Sequence, residues 1–286
     1  MILIAGGTGT LGTRIVGRLA VHDRVRVLTR DLRRAALTVG GNVEVVEGDV
    51  RDAATLVDAV SGVDTVIAAV HGFAGPGGVT PKSVDRDGNA NLITAASRAG
   101  ATFVLVSIVG AAPDSPMELF REKFAAEQCL RQSELTWTIV RATAYMETWA
   151  TIMSTKPKTL VFGRGENPIN FVSATDVAAL IEHVVLAPPV RGDVIELGGP
   201  DNLTFNEFAA TFQQVRGRLG TIRHIPRPML RLMANVTRKL NPPFARKARA
   251  AILMDTIPMT FDASAARRRF PDVPITDLTT VLKHLA

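Results

Sequence analysis

The stretch GGTGTLG, Gly6 to Gly12, has residues spaced for holding a phosphate group. Gly7, Gly9 and Gly12 satisfy GxGxxG, and Gly6, Gly9 and Gly12 give the related GxxGxxG spacing. One glycine permits a sharp turn, another lets backbone approach a pyrophosphate, and a third lets strand and helix pack closely. The amides and dipole of the following helix N-terminus then meet the phosphate charge. Gly6, Thr8, Gly9, Thr10, Leu11 and Gly12 are therefore the expected dinucleotide cradle, the plain alternative being an ordinary strand-to-helix turn. The GKS or GKT of a P-loop is absent, which argues against a nucleoside triphosphatase. The run VRVLTRD then bears on the cofactor: NAD calls for an acid at the end of the second strand, NADP for a cation on the 2′-phosphate. Arg30 suits the second role through its planar donor fork. NADP (NADPH) is thus expected, with a solvated loop arginine as the alternative. NAD fits less well and would use Asp31 after a slip of one residue. In VEGDV, Asp49 and Val50 offer a carboxylate and an apolar neighbour for an adenine, or simply an acidic turn.

A second stretch, SPMELFREKFAAEQ, runs from Ser115 to Gln128. Ser115, Pro116 and Glu118 read as N-cap, N1 proline and N3 carboxylate, so a helix is predicted to begin there. Leu119, Lys123, Ala126 and Leu130 share one stripe at helical spacing, and Lys123 is its only charge. Such a lysine can lay its stem over apolar surface and send its ammonium to water. Tyr145, the only tyrosine, follows the sixth predicted strand, and strand C-termini surround the ligand crevice of an open α/β sheet. It reaches a substrate there or packs. Ala69, which ends the fourth strand, and Val70 and His71 just after it, in AAVHGFAGPGG, are expected to border the cofactor. His71 is either a proton donor or a loop histidine without a chemical role, and the glycines after it suggest a mobile loop. The five histidines have no metal-ligand spacing, and Cys129 has no partner, so no metal site is expected. A GxSxG nucleophile elbow is also absent.

The elements that must position these residues follow from the hydrophobic pattern. Short β-rich runs at 1–5, 25–29, 43–47, 65–69, 102–107 and 136–141 alternate with helix-like runs such as 11–19 and 53–60, the latter opened by Asp52. Alternation of this kind signals a parallel sheet with crossover helices, and near-continuous apolar strands such as FVLVS suit a sheet covered on both faces. Ser173 with Asp176, and Thr204 with Glu207, read as capping boxes. A further strand is predicted at 194–197, before GGP. From about Leu203 the strand alternation stops. The predicted architecture is α/β: a Rossmann-type doubly wound parallel sheet over 1–198, with an excursion toward the substrate region near 151–170, then a smaller, mainly helical C-terminal substrate region over 199–286.

Composition bounds the class. The chain has 286 residues, 47% of them hydrophobic, enough for a substantial core. Met1 leads straight into ILIAGG with no basic leader, no apolar run reaches the length of a membrane span, and a single cysteine excludes an internal disulfide. A soluble, cytoplasmic protein is expected.

GGTGTLG, VRVLTR, VEGDV, VLVSIVGA, FREKFAAEQCLRQSELTWTIVRAT, FVSATDVAAL and ELGGP stand in an order and spacing that resembles the NmrA-like group of atypical short-chain dehydrogenases, which bind NAD(P). The resemblance covers residues 1–212. It implies a Rossmann domain with a smaller C-terminal substrate region, and a lysine, Lys123, that hydrogen-bonds the nicotinamide ribose. It also implies that Ser107, in VSIVGA, points toward the nicotinamide. Ordinary short-chain dehydrogenases place a proton-transferring tyrosine one turn before that lysine, made more acidic by the lysine's charge. Leu119 stands there and cannot transfer a proton. Family members include reductases, quinone reductases and redox-sensing regulators, so membership fixes fold and cofactor class better than function.

The net charge of +6 is concentrated: no acidic residue lies between Glu207 and Asp255, where ten arginines and lysines fall. This segment reads as a helical cap over a substrate cleft, as a peripheral membrane contact, or as a nucleic-acid contact. The last is disfavoured, because only Phe244 supplies an aromatic ring between Phe212 and Phe261. The leading functional expectation is an NADP-dependent reductase of a small lipophilic carbonyl, enone or quinone, with Lys123 positioning the ribose and Ser107 or Tyr145 orienting the substrate oxygen. The rival is a non-catalytic NADP(H)-binding redox sensor or assembly protein.

Overall fold

The structure is a computed structural model that describes residues 1–38 (36–38 by backbone alone), 43–73, 75, 78–154, 159–188, 192–217 and 221–285. Two compact units are built from interleaved pieces of the chain. The first comprises Met1–Gly72, Gly77–Ala142 and Val177–Glu196, and the second Phe73–Pro76, Thr143–Asp176 and Leu197–Ala286. The return to the first unit thus comes only after residue 176, and the excursion is wider than the 151–170 expected from sequence.

In the first unit the strands and helices alternate in the order β1 (Ile2–Ala5), α1 (Gly12–Leu19), β2 (Val25–Thr29), α2 (Leu32–Thr38), β3 (Val43–Glu47), α3 (Leu56–Ala59), β4 (Thr65–Ala68), α4 (Asp87–Ala99), β5 (Thr102–Ile108), α5 (Glu118–Arg131) and β6 (Trp137–Ala142). A 3₁₀ turn, Ala53–Thr55, precedes α3, and a π-helical turn, Pro81–Arg86, precedes α4. Asp52 caps the first of these by accepting from the Ala54 amide at 3.1 Å. Thr80 and Ser83 form a reciprocal capping box at the second. With β10 (Asp193–Leu197), defined below, the sheet order is β10-β6-β5-β4-β1-β2-β3. Ladders β1–β2, β1–β4, β2–β3, β4–β5 and β5–β6 are parallel. The order in which strands are added reverses between β1 and β4, which opens the crevice where doubly wound sheets take their ligand. Leu3, Ala5, Phe103 and Leu105 face one side with Leu92 and Ala96 of α4 and Ala126 and Leu130 of α5. The alternate residues Ile2, Ile4 and Val104 are equally buried, as a sheet covered on both faces requires.

The second unit contains β7 (Ala144–Tyr145), α6 (Met146–Met153), β8 (Thr159–Phe162), β9 (Ile169–Val172), the start of α7 (Ala174–Leu186), the end of β10, β11 (Asn202–Leu203), α8 (Phe205–Val215), β12 (Ile222–Ile225), α9 (Arg227–Val236), α10 (Pro242–Met254), α11 (Ser264–Arg269) and α12 (Leu278–His284). Two small sheets, β11-β9-β7 and β12-β8, accompany the helices. Phe171, Phe205, Phe208 and Trp149 form its aromatic core, with ring centroids 4.7–5.8 Å apart.

The capping signals divide. Thr204 and Glu207 form the full reciprocal box. Ser173 accepts from the Thr175 amide at 3.1 Å, but Asp176 does not return the bond. Its carboxylate instead takes the Thr276 amide and hydroxyl, and Glu147 takes the Ala174 amide. Ser115 is not the N-cap of α5: its Oγ accepts from the Met117 amide at 3.3 Å, and the helix starts at Glu118 with Met117 in the extended cap position.

Candidate cofactor-binding site

The glycine loop joins β1 to α1, and its glycines answer different needs. Gly6 has φ +91°, and a Cβ there would lie 2.5 Å from the Ala69 carbonyl oxygen. At Gly12 a Cβ would lie 2.0 Å from the Gly6 oxygen, so loop and helix pack too closely for a side chain. Gly9 differs, since a Cβ there meets only the Gly6 oxygen, at 3.4 Å. Nothing in the protein requires glycine at this position, whereas a pyrophosphate lying against the backbone would. Arg14 donates to the Thr10 carbonyl at 2.5 Å and Arg34 to the Thr8 carbonyl at 3.2 Å. In a trans peptide the following amide points the opposite way, so the Leu11 N–H is directed away from the Arg14 contact. Among the described residues the Leu11 and Gly12 amides have no acceptor, and the first turn of α1 carries no acidic residue. Free amides, a helix start and an open cradle fit a dinucleotide pyrophosphate.

Arg30 stands exposed just after β2, near enough to Asp49 to contribute to the lowering of that carboxyl. Asp31 is otherwise engaged: its Oδ1 accepts from the Arg34 amide at 3.0 Å and caps α2. The alternative of Asp31 as an NAD ribose ligand therefore loses its carboxylate to the helix. Asp49 is gripped by Arg51, whose Nη2 lies 2.6 Å from Oδ2 and whose amide donates to Oδ1 at 2.9 Å. The Arg51 hydrogen bond holds the Asp49 carboxyl below its ordinary range. Val50 is 7% exposed and packs in the core, its carbonyl accepting from Asn91 Nδ2 at 2.9 Å. An adenine at this strand end meets the Asp49–Arg51 pair rather than a free carboxylate.

Lys123 does not send its amine to water. It is 5% exposed, and Nζ donates to the Val70 and Val106 carbonyls at 2.9 Å each. Nζ also lies 3.1 Å from Oδ1 of the fully buried Asp85, an ion-pair contact rather than an aligned hydrogen bond. Asp85 Oδ2 accepts from the Gly72 amide at 2.7 Å. The lysine thus ties the chain after β4 to β5 and to the π-helical turn, a helix type that recurs at functional sites. Asp85 was not singled out by the sequence. Its signal, had it been read, was an acid in a Thr-Pro helix start (TPKSVD) facing the one charged position of the α5 stripe. His71 is exposed, and partial desolvation lowers its pKa from the ordinary value, with Asp85 opposing and Lys123 reinforcing the shift. Of the glycine-rich run after it, Ala74, Pro76 and Gly77 lie outside the described residues.

Ser107 is turned away from the role the resemblance implies. Its hydroxyl donates at 2.5 Å to Glu127 Oε1, inside the protein. Arg141 closes the cluster, donating to Glu127 through Nε at 2.9 Å and Nη2 at 2.6 Å, and to Glu196 at 3.0 Å. The Glu127 bond raises the Arg141 pKa above its ordinary value. Glu127 sits one helical turn after Lys123, fully buried beside that stripe, and its spacing from Lys123 was the available signal for it. Replacing it with alanine takes the acceptor from Ser107 and leaves Arg141 with Glu196 alone. Glu127→Ala should cost about 3–5 kcal/mol in urea unfolding, the usual result of breaking a buried pair. A loss within experimental error would mean that solvent already satisfies Arg141.

Tyr145 belongs to the second unit, in β7, and is part-buried. Burial, reinforced by Glu147, pushes its phenol above the ordinary value, which makes it a weaker acid. Among the described residues no group of His, Cys, Asp and Glu is placed to hold a metal, and no helix is long and apolar enough to cross a membrane. The first unit therefore brings together the glycine loop, Arg30, Asp49, Ala69, Val70, His71 and Lys123, while Ser107 points into its own buried cluster.

Residues 6–188 match the family described as NAD(P)H-binding. The chain is 32% identical to an NAD(P)H azoreductase of Xenophilus azovorans, over 76% of this chain and 74% of the relative. It is 31% identical to the Photosystem II assembly factor Ycf39 of Synechocystis, over 83% and 74%. Among solved structures, the NADPH-dependent quinone oxidoreductase QOR2 of Escherichia coli in complex with NADPH superposes with a TM-score of 0.77 at 22% identity, over 100% of this chain and 99% of that one. The last likeness is one of fold.

Proposed function

The chain belongs to the NAD(P)H-binding family, in the NmrA-like group of atypical short-chain dehydrogenases and NAD(P)H-dependent oxidoreductases, and from that premise we propose that it reduces a small lipophilic quinone with NADPH. The single observation that carries this reading is the lack of a free acid among its candidate groups. Leu119 has no proton to give. Ser107 donates to Glu127, Lys123 is held by two carbonyls and Asp85, and Tyr145 is a weakened acid. His71, with its lowered pKa, is mostly neutral at neutral pH.

The reduced nicotinamide, when bound, supplies hydride. Two electrons delivered as hydride convert a quinone into a hydroquinone monoanion, a phenolate whose pKa is about 10, and one proton from water completes the product. A saturated ketone would instead give an alkoxide, a much stronger base that needs a protein acid in step with the transfer. An enone lies between the two. The protein's part is to bind and orient: the Leu11 and Gly12 amides take the pyrophosphate, Arg30 takes a 2′-phosphate, and Lys123 fixes the ends of β4 and β5 that border the cofactor. The direct test is NADPH oxidation with a benzoquinone and with a saturated ketone of matched hydrophobicity. Quinone turnover far above ketone turnover is expected, and the reverse ranking would sink the reading.

Arg30 supports NADPH over NADH, being exposed and free to meet a phosphate. With charged hydrogen bonds worth about 1.5–3 kcal/mol each, Arg30→Ala should weaken NADPH binding by about ten- to a hundredfold in calorimetry. NADH affinity should not change, and equal losses for both cofactors would remove Arg30 from the 2′-phosphate.

A second reading has its own support. The relative named as an assembly factor is nearly as similar as the azoreductase, and Leu119 fits a chain that binds NADP(H) without turnover. On that reading no acceptor is reduced, and oxidised and reduced cofactor bind with different affinities.

A further inference from the structure

We propose that the outer face of α9 and the turn after it docks on an anionic phospholipid surface. Leu230 and Ala234 point inward and pack with Ala248 and Ala251 of α10. Met229, Leu232 and Val236 lie on the other side of the same helix, as spacings of three and four residues require. They are 49%, 63% and 62% exposed, and Leu240 in the following turn is 88% exposed. Four large apolar side chains thus meet solvent in one short segment, where isolated exposed residues would need no explanation.

Their surroundings specify the occupant. Arg231, Arg238 and Lys239 of the same segment, and Lys247 and Arg249 of α10, are exposed. No acidic residue lies between Glu207 and Asp255, and Asp255 is buried and paired with Arg227. The Arg227 guanidinium also donates to the Asp255 carbonyl at 2.6 Å, which fastens the start of α9 to the end of α10. A fixed helix with an apolar outer face and unneutralised cations beside it carries the two signals that stable interfacial binding needs. A nucleic acid would use the cations and leave the apolar side chains without a partner.

Flotation of the full chain with vesicles of phosphatidylcholine alone, or containing phosphatidylglycerol, tests this directly. Binding is expected only with phosphatidylglycerol, weakening as salt is added. Each cation removed near an anionic surface should cost about fivefold, so Arg238→Ala/Lys239→Ala should lower partitioning by about twenty-fivefold. Leu232→Glu/Val236→Glu should lower it by more than about tenfold. Circular dichroism melting and NADPH affinity report whether each variant remains folded. Equal binding to both vesicle types overturns the proposal, as does wild-type binding by Leu232→Glu/Val236→Glu, which would mean that net charge alone is acting. A solution dimer that Leu232→Glu/Val236→Glu dissociates, with no vesicle binding by either protein, would assign the face to a second copy instead.

Discussion

Gly9→Ala is expected to abolish measurable NADPH binding while leaving the fold intact. The added carbon would stand 3.4 Å from the Gly6 oxygen and, chain neighbours apart, within 4 Å of no other atom among the described residues, a contact the loop accommodates. On the proposed cofactor reading it would project toward the pyrophosphate and separate that group from the Leu11 and Gly12 amides. Losing two charge-assisted contacts of about 1.5–3 kcal/mol each corresponds to roughly two orders of magnitude or more in affinity. Gly12→Ala is the informative contrast: its carbon would fall 2.0 Å from the Gly6 oxygen, so melting temperature and cofactor binding should fall together. Calorimetry and thermal melting on both variants separate the two glycine roles. Wild-type NADPH affinity in Gly9→Ala would mean that the cofactor does not approach the loop there.

The second large effect concerns the buried charge pair. Lys123→Met retains the length of the stem but leaves Asp85 a fully buried carboxylate with the Gly72 amide as its remaining partner. Breaking such a pair costs about 3–5 kcal/mol. Adding Asp85→Asn removes the unpaired charge while keeping an acceptor for Gly72, so the double variant should be more stable than Lys123→Met alone. Denaturant midpoints for the two single variants and the double complete the cycle. A Lys123→Met protein as stable as wild type would show that the amine is not held by Asp85 in solution, leaving it free to serve a ribose.

The sheet was legible because its strands are long apolar runs bounded by turn residues. The run predicted at 102–107 is observed as Thr102–Ile108, and 25–29 as Val25–Thr29. The glycine loop was legible for the same local reason, since its chemistry lies within seven consecutive residues. What escaped depended on contacts between distant positions. Asp85 meets Lys123 across 38 positions, and Glu127 meets Ser107 and Arg141 from a different element, so no local pattern announces either. Local signals also competed. Ser115-Pro116 looked like a helix start, but the helix begins at Glu118, and Asp31 proved to be a cap where a ribose ligand was also conceivable. The strand Ile222–Ile225 lies inside the basic segment and pairs in parallel with Thr159–Phe162. It is too short and too polar at Arg223 and His224 to stand out from its helical surroundings.

Single-turnover kinetics decide whether hydride reaches a quinone here without a protein acid. NADPH-loaded protein is mixed anaerobically with a water-soluble benzoquinone, and cofactor absorbance is followed across the neutral pH range for wild type and Tyr145→Phe. The expected result is one hydroquinone formed per NADPH consumed, with a rate that is independent of pH and unchanged in Tyr145→Phe. A rate that falls as an acidic group deprotonates, or that collapses in Tyr145→Phe, would reveal a protein proton donor and contradict the account. So would the absence of any NADPH oxidation despite tight binding.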